Sequence, residues 1–234
     1  MASTRLPGKP LADIAGLPMI VHVMQRAKEA HAGRVIVACD SEAIGQAIQK
    51  AGGDYVLTDP ELPSGSDRIY QALQHIDPDK KYDIVINVQG DMPTLDPMVI
   101  TKALDVMKNP EVQIGTLAAR IRDVDELTDP AVVKPIIAFA ADGNSGRALD
   151  FNRDPVASGV VAYHHIGLYV YRREALEKFV ALPPSANEKS RKLEQMRAMD
   201  NGMRIDIALV DTVPLGVDTP ETLEKARATM KNMA

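Results

Sequence analysis

The sequence predicts an α/β fold, with a mostly parallel central sheet in the core and an inserted mixed α/β lobe. Three observations carry that expectation. Two short, continuous apolar runs, Val35 to Cys39 and Ile84 to Val88, have the length and composition of strands covered on both faces. Segments with helical apolar spacing alternate with these runs, as right-handed βαβ units require. Beyond about residue 120 the alternation gives way to clustered strand-like segments, and it resumes at Ile205. At 234 residues and 45% hydrophobic composition, the chain can bury a core of this size.

In chain order, Ile20, Val23, Met24 and Ala27 follow the i, i+3, i+4, i+7 spacing of an amphipathic helix. The strand Val35–Cys39 follows. Asp40 and Ser41 are residues that cap a next helix, with Ala43, Ile44, Ala47 and Ile48 on one face and Gly52-Gly53 at its end. Tyr55 to Leu57 is a short strand, Ile69, Leu73 and Ile76 mark a helix, and Ile84 to Val88 is another strand. Residues near 112–119, 131–139, 147–151 and 165–171 read as strands, with a loop or hairpin tip at Asp142–Gly146. Pro183-Pro184 separates a short helix from one holding Leu193, Met196 and Arg197. A strand at Ile205–Val210 precedes the last helix, for which Thr219 can serve as cap, Pro220 as first residue and Glu221 as first-turn acid. The expected division is a core over 1–120, an inserted lobe over 121–204 and a return to the core over 205–234.

Composition narrows the function. The formal net charge is −5 and the charges are dispersed, so the basic stripe of a nucleic-acid-binding protein is missing. Cys39 is the single cysteine and lies in an apolar strand, which suits a buried thiol. The five histidines have no Cys/His metal spacing. No apolar run approaches the ~20 residues of a membrane span, and the first residues do not read as a signal peptide. A cytoplasmic protein is expected.

Three polar clusters fall where open α/β sheets place ligands, at the carboxyl ends of strands. Ser3-Thr4-Arg5-Leu6-Pro7-Gly8-Lys9-Pro10-Leu11 puts Arg5 and Lys9 in a Gly/Pro-shaped loop with hydroxyls, suited to a polyphosphate and equally to a solvated basic loop. It is not a Walker A loop, because proline follows Gly8-Lys9. Gln89-Gly90-Asp91-Met92-Pro93 places an acid beside a glycine directly after an apolar strand, a good position for a hard cation. Gly216-Val217-Asp218-Thr219-Pro220 repeats the arrangement at a strand-to-helix turn. Alone it reads as a helix cap, but together Asp91 and Asp218 could hold one magnesium ion.

STRLPGKPL, SGSDR (Ser64–Arg68), NVQGDMP, HIGLYVYR (His165–Arg172), LEQMR (Leu193–Arg197) and GVDTPETLE occur in this order along nearly the whole chain. Together they resemble the 3-deoxy-manno-octulosonate (Kdo) cytidylyltransferase family. The resemblance implies a Rossmann-like nucleotidyltransferase fold, a homodimer joined through the inserted lobe, and a Mg2+ cofactor. The implied reaction is transfer of CMP from CTP to Kdo for lipopolysaccharide biosynthesis. By the same resemblance, Arg5 and Lys9 neutralise the triphosphate, while Asp91 and Asp218 act in catalysis by holding magnesium. Ser64, Gly65, Ser66 and Arg68 face the cytidine, and Ser66 stands where the family usually has threonine. Gln89 and Arg153 contact Kdo, with His165, Tyr169, Glu194 and Gln195 completing its pocket.

The chain departs from the family pattern at its start. The family normally begins with an apolar strand and a Pro-Ala-Arg loop upstream of STRLPGKPL, whereas Met1 falls inside that loop. The expectation is that the usual first strand is missing, that Met1 is an internal methionine of a longer natural protein, and that the short form is weakly stable. The rival readings are a cytidylyltransferase for a sialic-acid-like sugar, whose phosphate loop reads more like SKxxPGKN, and a nucleotide-binding but inactive form.

Overall fold

The computed structural model describes residues 5–231, so Ser3 and Thr4 of the first polar cluster lie outside the described residues. The chain forms two compact units, residues 1–81, 88–100 and 214–234, and residues 82–87 and 101–213. This division by compactness falls elsewhere than 120/121 and 204/205.

The first unit begins with β1 (Asp13–Ile14) and β2 (Leu17–Pro18), then α1 (Met19–Glu29), β3 (Ile36–Cys39), α2 (Glu42–Lys50), β4 (Asp54–Leu57) and α3 (Gly65–Ile76). The second contains β5 (Ile84–Asn87), most of α4 (Pro97–Asp105), β6 (Ile114–Arg120), β7 (Lys134–Phe139), β8 (Ser145–Asn152) and β9 (Tyr163–Arg172). It continues with α5 (Arg173–Ala181), α6 (Ala186–Arg191), α7 (Gln195–Asp200) and β10 (Ile205–Val210). The chain then returns to the first unit and ends in α8 (Pro220–Lys231). The expected elements are present with shifted ends, except that the one helix expected after Pro183-Pro184 is two short ones, α6 and α7, with Leu193 between them.

In the first unit β3 and β4 pair in parallel, Ile36 opposite Asp54 through Cys39 opposite Leu57. The apolar faces of α1 and α2 close over this pair, with Ile20, Val21, Met24, Ile44 and Ile48 buried against Cys39. A second cluster joins Ile14 and Met19 to Val217, Leu223 and Ala226 of the C-terminal segment. The Cys39 thiol is buried and free, and desolvation raises its pKa. Ser41 stands at the N-cap of α2 as expected, but its side chain makes no capping bond. Thr219 does cap α8, accepting a hydrogen bond from the Thr222 amide at 3.3 Å.

The second unit is built on a six-stranded sheet in the order β5-β9-β6-β10-β8-β7. The expectation of a mostly parallel sheet needs correction here. Only β6 and β10 pair in parallel; β5–β9, β6–β9, β8–β10 and β7–β8 are antiparallel. The central strands are the buried ones: Ile114 to Ala119 of β6 and Ile205 to Ala208 of β10 are buried throughout. The runs expected to be covered on both faces are not. Ile36, Val37 and Ala38 of β3 and Ile84, Val85 and Ile86 of β5 are only half-buried. Among the described residues β3 pairs only with β4, and β5 only with β9. A continuous apolar run thus marks a strand without saying how many neighbours it has.

Candidate active site

The first polar cluster folds into a compact turn. Gly8 takes a left-handed conformation (φ 70°) that a side chain would strain, and a 3-10 turn follows over Lys9–Leu11. Lys9 points its ammonium between two carboxylates, donating to Asp91 Oδ2 at 2.9 Å and to Asp218 Oδ1 at 3.0 Å. The loops that carry these acids are tied by a main-chain bond, the Val217 amide donating to the Asp91 carbonyl at 2.9 Å. Asp218 is held further by its own amide, which donates to Thr222 Oγ1 at 2.9 Å. Arg5 reaches Asp218 from outside at 3.4 Å. Burial opposes the charge on Lys9, but Asp91 and then Asp218 outweigh it and raise its pKa.

The Ser64–Arg68 segment forms the start of α3. Ser64 is its N-cap, accepting from the Asp67 amide at 3.2 Å and donating from Oγ to Asp67 Oδ2 at 2.6 Å. Ser66 is buried, and nothing stands within 4 Å of a Cβ placed on Gly65. Arg68 folds back to the carboxyl ends of β3 and β4, donating to Thr58 Oγ1 at 2.6 Å and to Asp40 Oδ2 at 3.2 Å. Asp40 and Thr58 thus orient an expected ligand residue, although the sequence suggested for Asp40 only a capping role. Gln89 is half-buried in the same unit and makes no hydrogen bond among the described residues.

In the second unit His165, Tyr169, Glu194 and Gln195 come together. The His165 ring is buried, edge-on to Phe151 (centroids 4.9 Å apart) and 5.6 Å from the Tyr169 ring. Burial, and then the charge that His164 can carry, lower the His165 pKa to about 3, so the ring is neutral at physiological pH. Burial raises the Tyr169 hydroxyl well above its usual value, with Tyr171 and Glu194 adding to the effect. Two polar atoms are buried here without any partner: Glu194 Oε1 and Gln195 Nε2. Such atoms are costly to bury and mark a place where a polar ligand fits.

The helices carrying Glu194 and Gln195 are fixed from behind. Ser185 and Glu188 form a capping box on α6, and buried Arg197 grips Glu188 with two bonds of 2.6 and 2.9 Å while stacking over Phe179. His164 faces away from this group and contacts Glu126 at 2.9 Å. Arg153 Nη1 is occupied by the carbonyls of Pro130 and Ala131. The structure therefore groups the expected residues within each unit and gives Arg153 a structural bond of its own. Thr116, which contacts His165 at 3.0 Å, was not singled out from the sequence. Its signal is a lone hydroxyl inside the apolar run Ile114–Ala119.

A cytidylyltransferase family model matches residues 1–205. The chain belongs to the cytidylyltransferase family. A relative from Parvibaculum lavamentivorans, named 3-deoxy-manno-octulosonate cytidylyltransferase, is 57% identical over 98% of this chain and 89% of its own length. One of the same name from Rhodospirillum rubrum is 56% identical, over 97% of this chain and 91% of its own. The solved structure of a CMP:2-keto-3-deoxy-manno-octonic acid synthetase complexed with CTP superposes with a TM-score of 0.90 at 37% identity, covering 100% of this cytidylyltransferase and 95% of that chain. A 4-diphosphocytidyl-2C-methyl-D-erythritol synthase from Anaerococcus prevotii shares the fold alone, with a TM-score of 0.63 at 11% identity.

Proposed function

We propose that this cytidylyltransferase transfers CMP from CTP to Kdo, giving CMP-Kdo and pyrophosphate. The observation that carries the mechanism is the convergence of Asp91 and Asp218 on the single ammonium of Lys9. Two carboxylates this close repel unless a cation stands between them. This donor set fits magnesium, which is commonly held by one or two carboxylates plus substrate phosphates. Among the described residues no cluster of three or more metal-ligating side chains exists, so substrate oxygens and water would complete the shell. Asp91 and Asp218 would hold the ion, which supplies charge neutralisation on the phosphoryl oxygens.

In this reading the anomeric hydroxyl of Kdo attacks the α-phosphorus of CTP and pyrophosphate leaves in line. Positioning and electrostatics carry most of such a step. Lys9 and Arg5 contribute positive charge for the triphosphate, the start of α3 with Ser64, Gly65, Ser66 and Arg68 receives the cytidine, and Gln89 offers a free amide to the sugar. The unpaired atoms of Glu194 and Gln195, with His165 and Tyr169, suit a ligand with many hydroxyls. Arg153 would use its remaining guanidinium nitrogens for the Kdo carboxylate. A homodimer belongs to the same reading, supported by the exposed apolar side chains Ile136 and Phe139 on β7 and Leu149 on β8.

The test is pyrophosphate release with CTP, magnesium and either Kdo or N-acetylneuraminate. Release with Kdo, lowered on the order of 10²–10³-fold in Asp91→Ala, is the expected result. Release with N-acetylneuraminate alone would move the substrate to the sialic-acid class, and CTP binding without any release would refute the reaction.

A further inference from the structure

The ladder between β6 and β9 is interrupted. Gly115 lies opposite Val170 and Leu117 opposite Ile166, so Thr116 alone faces the three residues Gly167, Leu168 and Tyr169. β9 therefore bulges by two residues at the point where it carries His165 and Tyr169. Thr116 is fully buried at the centre of this irregularity. Its Oγ1 lies 2.8 Å from the Leu168 carbonyl, 3.2 Å from the Ile166 carbonyl and 3.0 Å from His165 Nε2.

These distances decide where the protons are. A hydroxyl has one proton to give, and a carbonyl oxygen can only accept. The 2.8 Å approach to Leu168 places the Thr116 proton on a carbonyl, whichever of the two shares it. The remaining contact, to His165, must then be donated by the ring. His165 is thereby the tautomer with its proton on Nε2, and Nδ1 keeps a lone pair. Among the described residues Nδ1 has no hydrogen-bond partner. Because the ring is neutral, that lone pair persists across the physiological range.

We infer that Thr116 is a positioning residue, which locks His165 as the Nε2–H tautomer and so makes Nδ1 an acceptor for a hydroxyl of the sugar substrate. The lock would fix the direction of that bond, since an Nδ1–H ring would donate to the hydroxyl instead of accepting from it. The inference of a sugar hydroxyl rests on the function proposed above. The tautomer itself does not.

The test begins with the unmodified protein, labelled with 15N-histidine and without substrate. The expected result is a neutral Nε2–H ring for His165, assigned by its loss in His165→Gln. An Nδ1–H ring, or an even mixture, would overturn the inference whatever the substrate proves to be. Thr116→Val then removes the hydroxyl at similar volume, and Thr116→Ser restores it. The valine variant is expected to lose the single tautomer and to raise KM for Kdo about tenfold, as loss of one hydrogen bond implies. KM for CTP stays unchanged, and serine restores both readouts. Equal losses for both substrates, or no rescue by serine, would reduce Thr116 to a support of the bulge. Failure of the unmodified enzyme to turn over Kdo would count against the proposed function and leave the tautomer result standing.

Discussion

In the first unit the charged groups of the candidate site are all engaged: Lys9 with Asp91 and Asp218, Arg5 with Asp218, Arg68 with Asp40. In the second unit Glu194 Oε1 and Gln195 Nε2 are buried without a partner. The difference suits the two kinds of ligand proposed above. Ion pairs near solvent can exchange one partner for another at small net cost, as binding a triphosphate and a cation demands. Buried unpaired atoms hold their positions and raise the energy of the empty protein, each by about 1–3 kcal/mol. A ligand that satisfies them recovers that energy, and one lacking the matching group does not, which is how strong discrimination arises.

The largest test of this contrast removes a carboxylate from the first unit. Asp91→Ala is expected to lower turnover by on the order of 10²–10³-fold, measured as pyrophosphate release. Its melting temperature should stay close to that of the parent, because Lys9 keeps Asp218.

The next test uses pH on the second unit. Unfolded histidine takes up a proton near pH 6.5, whereas folded His165 resists protonation down to about pH 3. Its folded pKa is depressed, so the unfolded state binds the extra proton between these values, and stability declines as pH falls from 6.5 towards 3. Between pH 7 and pH 4.5 the loss from this group should be about 2–3 kcal/mol. Urea unfolding of the parent and His165→Gln at both pH values isolates it, and equal slopes would break the contrast.

Smaller effects should follow at the unpaired atoms. Glu194→Met removes a buried acceptor and is expected to raise unfolding free energy without sugar by about 1 kcal/mol, while weakening Kdo binding in calorimetry. At the exposed edge of the first unit, Arg5→Met should change stability by less than about 1 kcal/mol and show itself mainly as a higher KM for CTP.

Much of this was legible in the sequence, for physical reasons that differ by element. The periods of α1, α2 and α3 and the start signals of α8 are local properties of the chain, so their residues could be read directly. Strand direction is not local. Ile84–Val88 has the same apolar character whether its neighbour runs parallel or antiparallel, and β5 proved to pair antiparallel with β9. Asp91 and Asp218 could be matched because Asp91 follows an apolar strand closely and Asp218 directly precedes a helix. That Lys9 bridges them could not, since their meeting depends on contacts 82 and 209 residues apart. Thr116 was hidden for another reason: a β-branched residue in a strand is what propensity alone would place there.

The bond from the Val217 amide to the Asp91 carbonyl has one more result. It joins two loops far apart in the chain into a single mechanical piece, so neither can be lengthened without displacing the other's carboxylate. The hairpin tip at Asp142–Asn144, by contrast, is exposed. Natural or engineered insertions should accumulate at that tip and spare the two loops that hold Asp91 and Asp218.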